Sequence, residues 1–125
     1  MIVGVGLDLV EIARVERLLE RHGATFLDRV LHPGENRARI DTPSGPTHLA
    51  GLFAAKEAVM KALGTGMAGA AFSEIAIRHT DAGQPYVELD GGAAEKAAAL
   101  GVLSWQLSIS HSKQTAGAVA IALGG

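Results

Sequence analysis

Asp8, Glu57 and Lys61 are ionisable groups placed in stretches that are otherwise apolar. Asp8 closes the run 2–8, in which apolar residues alternate with Gly4 and Gly6. Glu57 and Lys61 belong to the segment 53–66, FAAKEAVMKALGTG, which has helical spacing. If the first run packs on that helix, the carboxylates of Asp8 and Glu57 approach each other. Two close carboxylates repel and need a proton or a cation. Mg²⁺ answers that need, taking one or two protein carboxylates, several waters and phosphate oxygens of a substrate. Lys61 stands one turn before Gly64-Thr65-Gly66, where backbone N–H groups can turn toward an anion. The order is the reverse of a P-loop, and the helix dipole at this end disfavours an anion. An ordinary glycine C-cap therefore stays open for the loop. A simple i,i+4 ion pair of about 0.2–0.5 kcal/mol stays open for Glu57 and Lys61.

Lys56 falls in the middle of the apolar stripe formed by Leu49, Leu52, Phe53, Val59, Met60 and Leu63. A bare ammonium there costs several kcal/mol. Either it snorkels to water along its methylenes or it meets a partner. A second polar group ends the chain's later half. Ser108 to Lys113 combines hydroxyls, His111 and a lysine. No G-x-S-x-G elbow appears, and adjacent strand residues point to opposite faces. Ser110, His111 and Ser112 thus read as phosphate contacts or turn caps, not as a hydrolase triad. Arg14, Arg17 and Arg21 recur at i, i+3 and i+7. They form a basic face that either steers an acidic partner or is merely solvated.

The elements that must position these groups follow from periodicity and punctuation. The spacing predicts a strand over 2–8, a helix over 10–22 stopped by Gly23, and a short helix capped by Thr25 and running to residue 30. His32-Pro33-Gly34 breaks the pattern, and 35–46 reads as an ordered polar loop before the long helix 47–63. Strands follow over 74–79 and 85–90, joined by the turn Asp81-Ala82-Gly83-Gln84. An alanine-rich helix over 93–100 and strands over 105–110 and 116–123 complete the chain. This order predicts an α+β fold, a single domain over 1–125 with mainly antiparallel sheet packed against one long and several short helices.

Bulk properties narrow the function. A length of 125 residues suits one core. The formal charge of −2 argues against general nucleic-acid binding. The lack of cysteine excludes disulfides and thiolate chemistry. No apolar run approaches ~18 residues, so no membrane span is expected. The first residues lack a basic n-region and meet Asp8 early, which reads as a cytoplasmic protein without a signal peptide. Small alanines bury little area each, so association between copies is compatible with the composition.

Three blocks carry a resemblance. They are Gly4-Val-Gly-Leu-Asp8 with Glu11-Ile-Ala-Arg14, then Phe53-Ala-Ala-Lys-Glu-Ala58 through Lys61-Ala-Leu-Gly-Thr-Gly66, then Ser108-Ile-Ser-His-Ser112 before an apolar last strand. In this order they resemble the holo-acyl-carrier-protein synthases, the small bacterial type of 4′-phosphopantetheinyl transferase, over essentially the whole chain. The resemblance implies the 4′-phosphopantetheinyl transferase-like fold. It also implies transfer of the phosphopantetheine arm of coenzyme A to a serine of apo-acyl carrier protein, in fatty acid biosynthesis. Adenosine 3′,5′-bisphosphate is the by-product. It further implies Mg²⁺ and a homotrimer with sites between subunits. Asp8 and Glu57 would hold the metal and Lys61 would contact the pyrophosphate. Gly64, Thr65 and Gly66 would lie along the nucleotide, and Gly83-Gln84-Pro85 would line the adenine. His111 and Ser112 would contact phosphates, while Arg14, with Arg17 and Arg21 on the same face, would meet the carrier protein. One position departs. The family usually has arginine just before FAAKEA, at the nucleotide's phosphate end, and this chain has Leu52. Arg37 and Arg39 are the cations in the preceding loop that could compensate. A non-catalytic trimeric module binding a nucleotide or carrier protein, and a metal-dependent phosphohydrolase, are the competing readings.

Overall fold

Two glycines decide how closely the longest helix approaches the first strand. In the computed structural model, which describes residues 1–65 and 71–125, β1 spans Ile2–Glu11 and α3 spans Gly45–Leu63. A Cβ on Gly4 would collide with the carbonyl oxygen of Ala62, and one on Gly6 with that of Ala58. Only glycine lets the two backbones meet there. Between β1 and α3 lie α1 (Ile12–His22) and α2 (Ala24–Val30). After α3 come β2 (Ile75–His79), β3 (Pro85–Leu89), α4 (Gly91–Ala99), β4 (Val102–His111) and β5 (Thr115–Gly124).

β1, β5 and β4 form an antiparallel sheet in that order, with β5 central, and β2 pairs with β3 as a separate hairpin. One rung of the larger sheet runs Asp8, Ala118, Ile109, and the next on the same face runs Val10, Ala116, His111. On that inner face Ala116, Ala118, Ala120 and Ala122 are buried. α3 lies against them with its own buried Ala50, Ala54, Ala55, Ala58 and Ala62. The alanine content is thus spent on close helix–sheet contact. Beyond α3 the core is completed by larger side chains, including Phe53, whose ring lies 6.3 Å from that of Phe26 and 5.0 Å from that of Phe72.

Several expected details shift. β1 does not end at Asp8 but runs on to Glu11, and α1 starts at Ile12 without a side-chain cap. Thr25 is no cap either, because α2 starts at Ala24 after Gly23, whose φ is 50°. The polar loop contains a 3₁₀ turn, Arg37–Asp41, that buries Ile40.

Lys56 does not snorkel. It is fully buried, and its Nζ donates to Glu35 Oε1 at 2.6 Å, Val30 O at 2.6 Å and Phe72 O at 3.3 Å. Glu35 in turn accepts the amides of His32, at 2.8 Å, and Ile77, at 2.9 Å. Burial pushes the Lys56 ammonium below its usual range, and the Glu35 carboxylate opposes the shift. The pair therefore fastens α3 to the end of α2, the following loop and β2. It anchors the fold and is well away from solvent.

Candidate active site

Asp8 is only 8% exposed. It projects from the inner face of β1 toward the last two turns of α3, where Lys61 Nζ donates to its Oδ1 at 3.0 Å and to Leu7 O at 3.0 Å. Asp8 Oδ2 is buried and accepts no hydrogen bond among the described residues. Glu57, one turn before Lys61, is half-buried. Its carboxyl is pushed above the usual glutamate range, first by burial and next by the negative charge of Asp8. Lys61 and Arg14 pull it back down. The two carboxylates converge, as the packing of strand on helix requires. Lys61 gives its hydrogen bond to Asp8, across the sheet–helix contact, in place of the simple helical pair with Glu57.

These groups fit a hard divalent cation. The donors are carboxylate oxygens, one of them an orphaned buried atom, and the pair carries charge that wants neutralising. No cluster of three or more metal-ligating side chains exists among the described residues. A cation here would keep positions for water and a substrate oxygen, the pattern of Mg²⁺ rather than of a closed structural site.

The loop after α3 behaves differently from an anion cradle at its first two residues. Gly64 takes φ 73°, ψ 14° as the left-handed cap. Its N–H donates to Lys61 O at 3.1 Å, and that of Thr65 to Met60 O at 3.3 Å. Both amides close the helix, so contact with a ligand would use other atoms. Gly66 lies outside the described residues.

A second cluster gathers Gly83, Pro85 and His111 around a cavity of about 270 Å³ whose wall also holds Arg39, His48 and Leu52. Ser112 is not in that wall; its Oγ accepts the Thr115 amide at 3.3 Å and ties the β4–β5 turn. The two candidate compensating cations separate. Arg37 is committed to Asp28 at 2.6 Å, whereas Arg39 faces the cavity beside Leu52. Arg14, Arg17 and Arg21 lie exposed on α1, opposite buried Ile12 and Val15. At about 100° per residue, Glu57 and Lys61 lie on the face of α3 roughly opposite His48, Gly51 and Leu52. The carboxylate cluster and the cavity therefore open on different sides of one helix.

Residues 4–122 match the family described as the 4′-phosphopantetheinyl transferase superfamily. The chain belongs to that superfamily. A holo-[acyl-carrier-protein] synthase of Solidesulfovibrio magneticus is 51% identical over 97% of this chain and 98% of its own length. Among solved structures, the holo-[acyl-carrier-protein] synthase of Neisseria meningitidis superposes with a TM-score of 0.89 at 34% identity, covering 98% of this chain and 99% of that one. The Helicobacter pylori enzyme, solved in complex with coenzyme A, gives 0.83 at 34% identity, covering 95% and 99%. The transferase fold is therefore the α+β arrangement described above.

Sequence reasoning missed Glu35, His48 and His79. Glu35 lies in a polar loop without periodicity, so nothing local marks it as the partner of Lys56. His48 falls in the first turns of α3 and His79 at the end of β2; only the tertiary fold brings them to one cavity.

Proposed function

We propose that this chain is a holo-acyl-carrier-protein synthase, moving the 4′-phosphopantetheine arm of coenzyme A onto a serine of apo-acyl carrier protein in fatty acid biosynthesis. The convergence of Asp8, Glu57 and Lys61, on motif blocks in family order, carries the reading. The serine oxygen forms a bond to the β-phosphorus of the coenzyme A pyrophosphate. The bond from that phosphorus to the bridging oxygen breaks, and adenosine 3′,5′-bisphosphate leaves. The hydroxyl proton passes to a base. Charge grows on the leaving phosphate, and Lys61, held by Asp8 and Leu7 O, supplies a fixed positive charge beside it. Asp8 and Glu57 would hold Mg²⁺, which when bound neutralises phosphate oxygens and orients the pyrophosphate.

Association into a homotrimer completes the proposal. On the outer face of the larger sheet, Val5, Leu7 and Leu9 are 56%, 61% and 69% exposed. Half-buried Val119 and Ile121 continue this apolar strip on β5. Such a strip on a small domain favours a partner surface. A neighbouring copy would bring its cavity with Gly83, Pro85 and His111 toward the carboxylates, which one chain keeps on opposite faces of α3. Arg14, Arg17 and Arg21 then offer the acidic carrier protein a basic face next to Glu57. The enzyme would act in the cytoplasm, and no described helix is long and apolar enough to cross a membrane.

The deciding experiment incubates the purified protein with apo-acyl carrier protein, coenzyme A and Mg²⁺ and weighs the carrier protein. A gain of one phosphopantetheine arm is expected. Coenzyme A binding without a gain would point to a non-catalytic module, and product release without carrier protein to a phosphohydrolase.

A further inference from the structure

Among the described residues, Lys56 is the only charged one with no exposed surface. An apolar pair in place of a buried ion pair is often as stable or more so, and stability by itself therefore gives no reason for a lysine here. What the lysine adds is directed bonding. An ammonium has three donors, and all three are in use, on Glu35 Oε1, Val30 O and Phe72 O. Two of those acceptors are main-chain carbonyls from separate stretches of chain. Val30 ends α2, where carbonyls lack helical partners, and Phe72 opens the 3₁₀ turn before β2.

Val30 and Phe72 stand in the wall of one apolar groove of about 680 Å³, with Leu18, His22, Phe26 and Phe53. Phe53 precedes Glu57 by one turn of α3, so the groove borders the carboxylate cluster. Leu18 and His22 follow Arg14 by one and two turns of α1, and the charge of Arg14 acts on Glu57. Exposed Arg29 of α2 adds a further cation to the wall. The groove thus continues the basic face of α1, and its cations suit an acidic partner.

We propose that Lys56 is a positioning residue for the carrier protein: its bonds to Val30 O and Phe72 O set the separation of two groove walls against which that partner seats beside Glu57. The proposal rests on the reading of the chain as a holo-acyl-carrier-protein synthase that turns α1 toward the carrier. An apolar side chain at residue 56 would fill the same volume, yet it would remove the donor that the two carbonyls share. The walls would keep their packing and lose the tie between them.

Two variants that differ only at residue 56 separate this role from stability. Glu35→Gln leaves Lys56 on both carbonyls. Adding Lys56→Met to it removes the tie and leaves no lone buried charge. Calorimetry on each measures binding of apo-acyl carrier protein and, separately, of coenzyme A. Glu35→Gln should bind carrier protein like the parent, even though it melts lower. The double variant should bind it about tenfold more weakly, the scale of one lost charged hydrogen bond. Coenzyme A should bind the two variants equally. In turnover the difference should lie in the KM for carrier protein and not in the KM for coenzyme A. If Glu35→Gln alone is unfolded, the double variant is compared with the parent for the same loss. Equal carrier affinity with and without Lys56, an equal loss for both ligands, or a parent that binds no carrier protein would overturn the role. Carrier binding that depends on Lys56, in a protein that transfers no phosphopantetheine, would sink the enzymatic reading and leave the positioning role standing.

Discussion

Asp8 is a carboxylate with half of its hydrogen-bonding capacity in use: Oδ1 takes Lys61, and Oδ2 is buried and unmatched. An orphaned buried acceptor costs stability that a purely structural site would shed. Asp8→Asn should therefore lower transfer by at least about a hundredfold, on the scale of losing an electrostatic catalytic group, while the melting temperature holds or rises. Activity near that of the parent would refute the assignment. Glu57 makes a pH prediction. Its folded-state pKa is raised, so the folded chain binds more protons than the unfolded chain above the ordinary glutamate value. Stability of the metal-free protein should then fall as pH climbs from that value through the raised one. Glu57→Gln should flatten this slope, and added Mg²⁺ should restore stability most at the high end. A thermal melt series with and without Mg²⁺ checks both signs.

At the scale of elements, the Lys56–Glu35 pair joins α3 to the 31–36 loop and β2. Removing one partner leaves the other charged, buried and alone. Lys56→Ala should cost about 3–5 kcal/mol in urea unfolding, whereas Lys56→Met with Glu35→Leu should recover much of that loss. A single variant with parental stability would show that the pair does not fasten these elements. The glycines of β1 work at the same scale. Gly4 and Gly6 admit the carbonyls of Ala62 and Ala58, which brings Glu57 and Lys61 onto Asp8. The site is a by-product of how closely this helix and strand can pack.

For the whole molecule, the exposed strip on β1 and the placement of two clusters on opposite faces of α3 agree with the proposed assembly, in which one copy would hold two halves of different sites. Leu7→Lys with Leu9→Lys places like charges on the strip. Sedimentation should report monomers, and transfer should fall with assembly even though Asp8, Glu57 and Lys61 are untouched. Full activity from a monomer would show that each chain is complete alone.

The motif blocks around Asp8, Glu57 and Lys61 were legible without coordinates, because a charged group inside an apolar period is conspicuous in one dimension. The α+β order was legible too, since helix and strand periods and glycine punctuation are local properties. The fate of Lys56 was not, because its partner Glu35 is far off in sequence, in a loop with no period. Nor was the end of β1, since Asp8 looks like a boundary until β5 pairs with it and carries the strand to Glu11. The sequence alone determined which residues are chemically out of place and which family's motifs they make. The tertiary structure decided which of them share a site: Lys61 with Asp8, Lys56 with Glu35, Arg39 with His48 and His79. Pairings of that kind depend on long-range packing, and residue spacing along a chain does not record them.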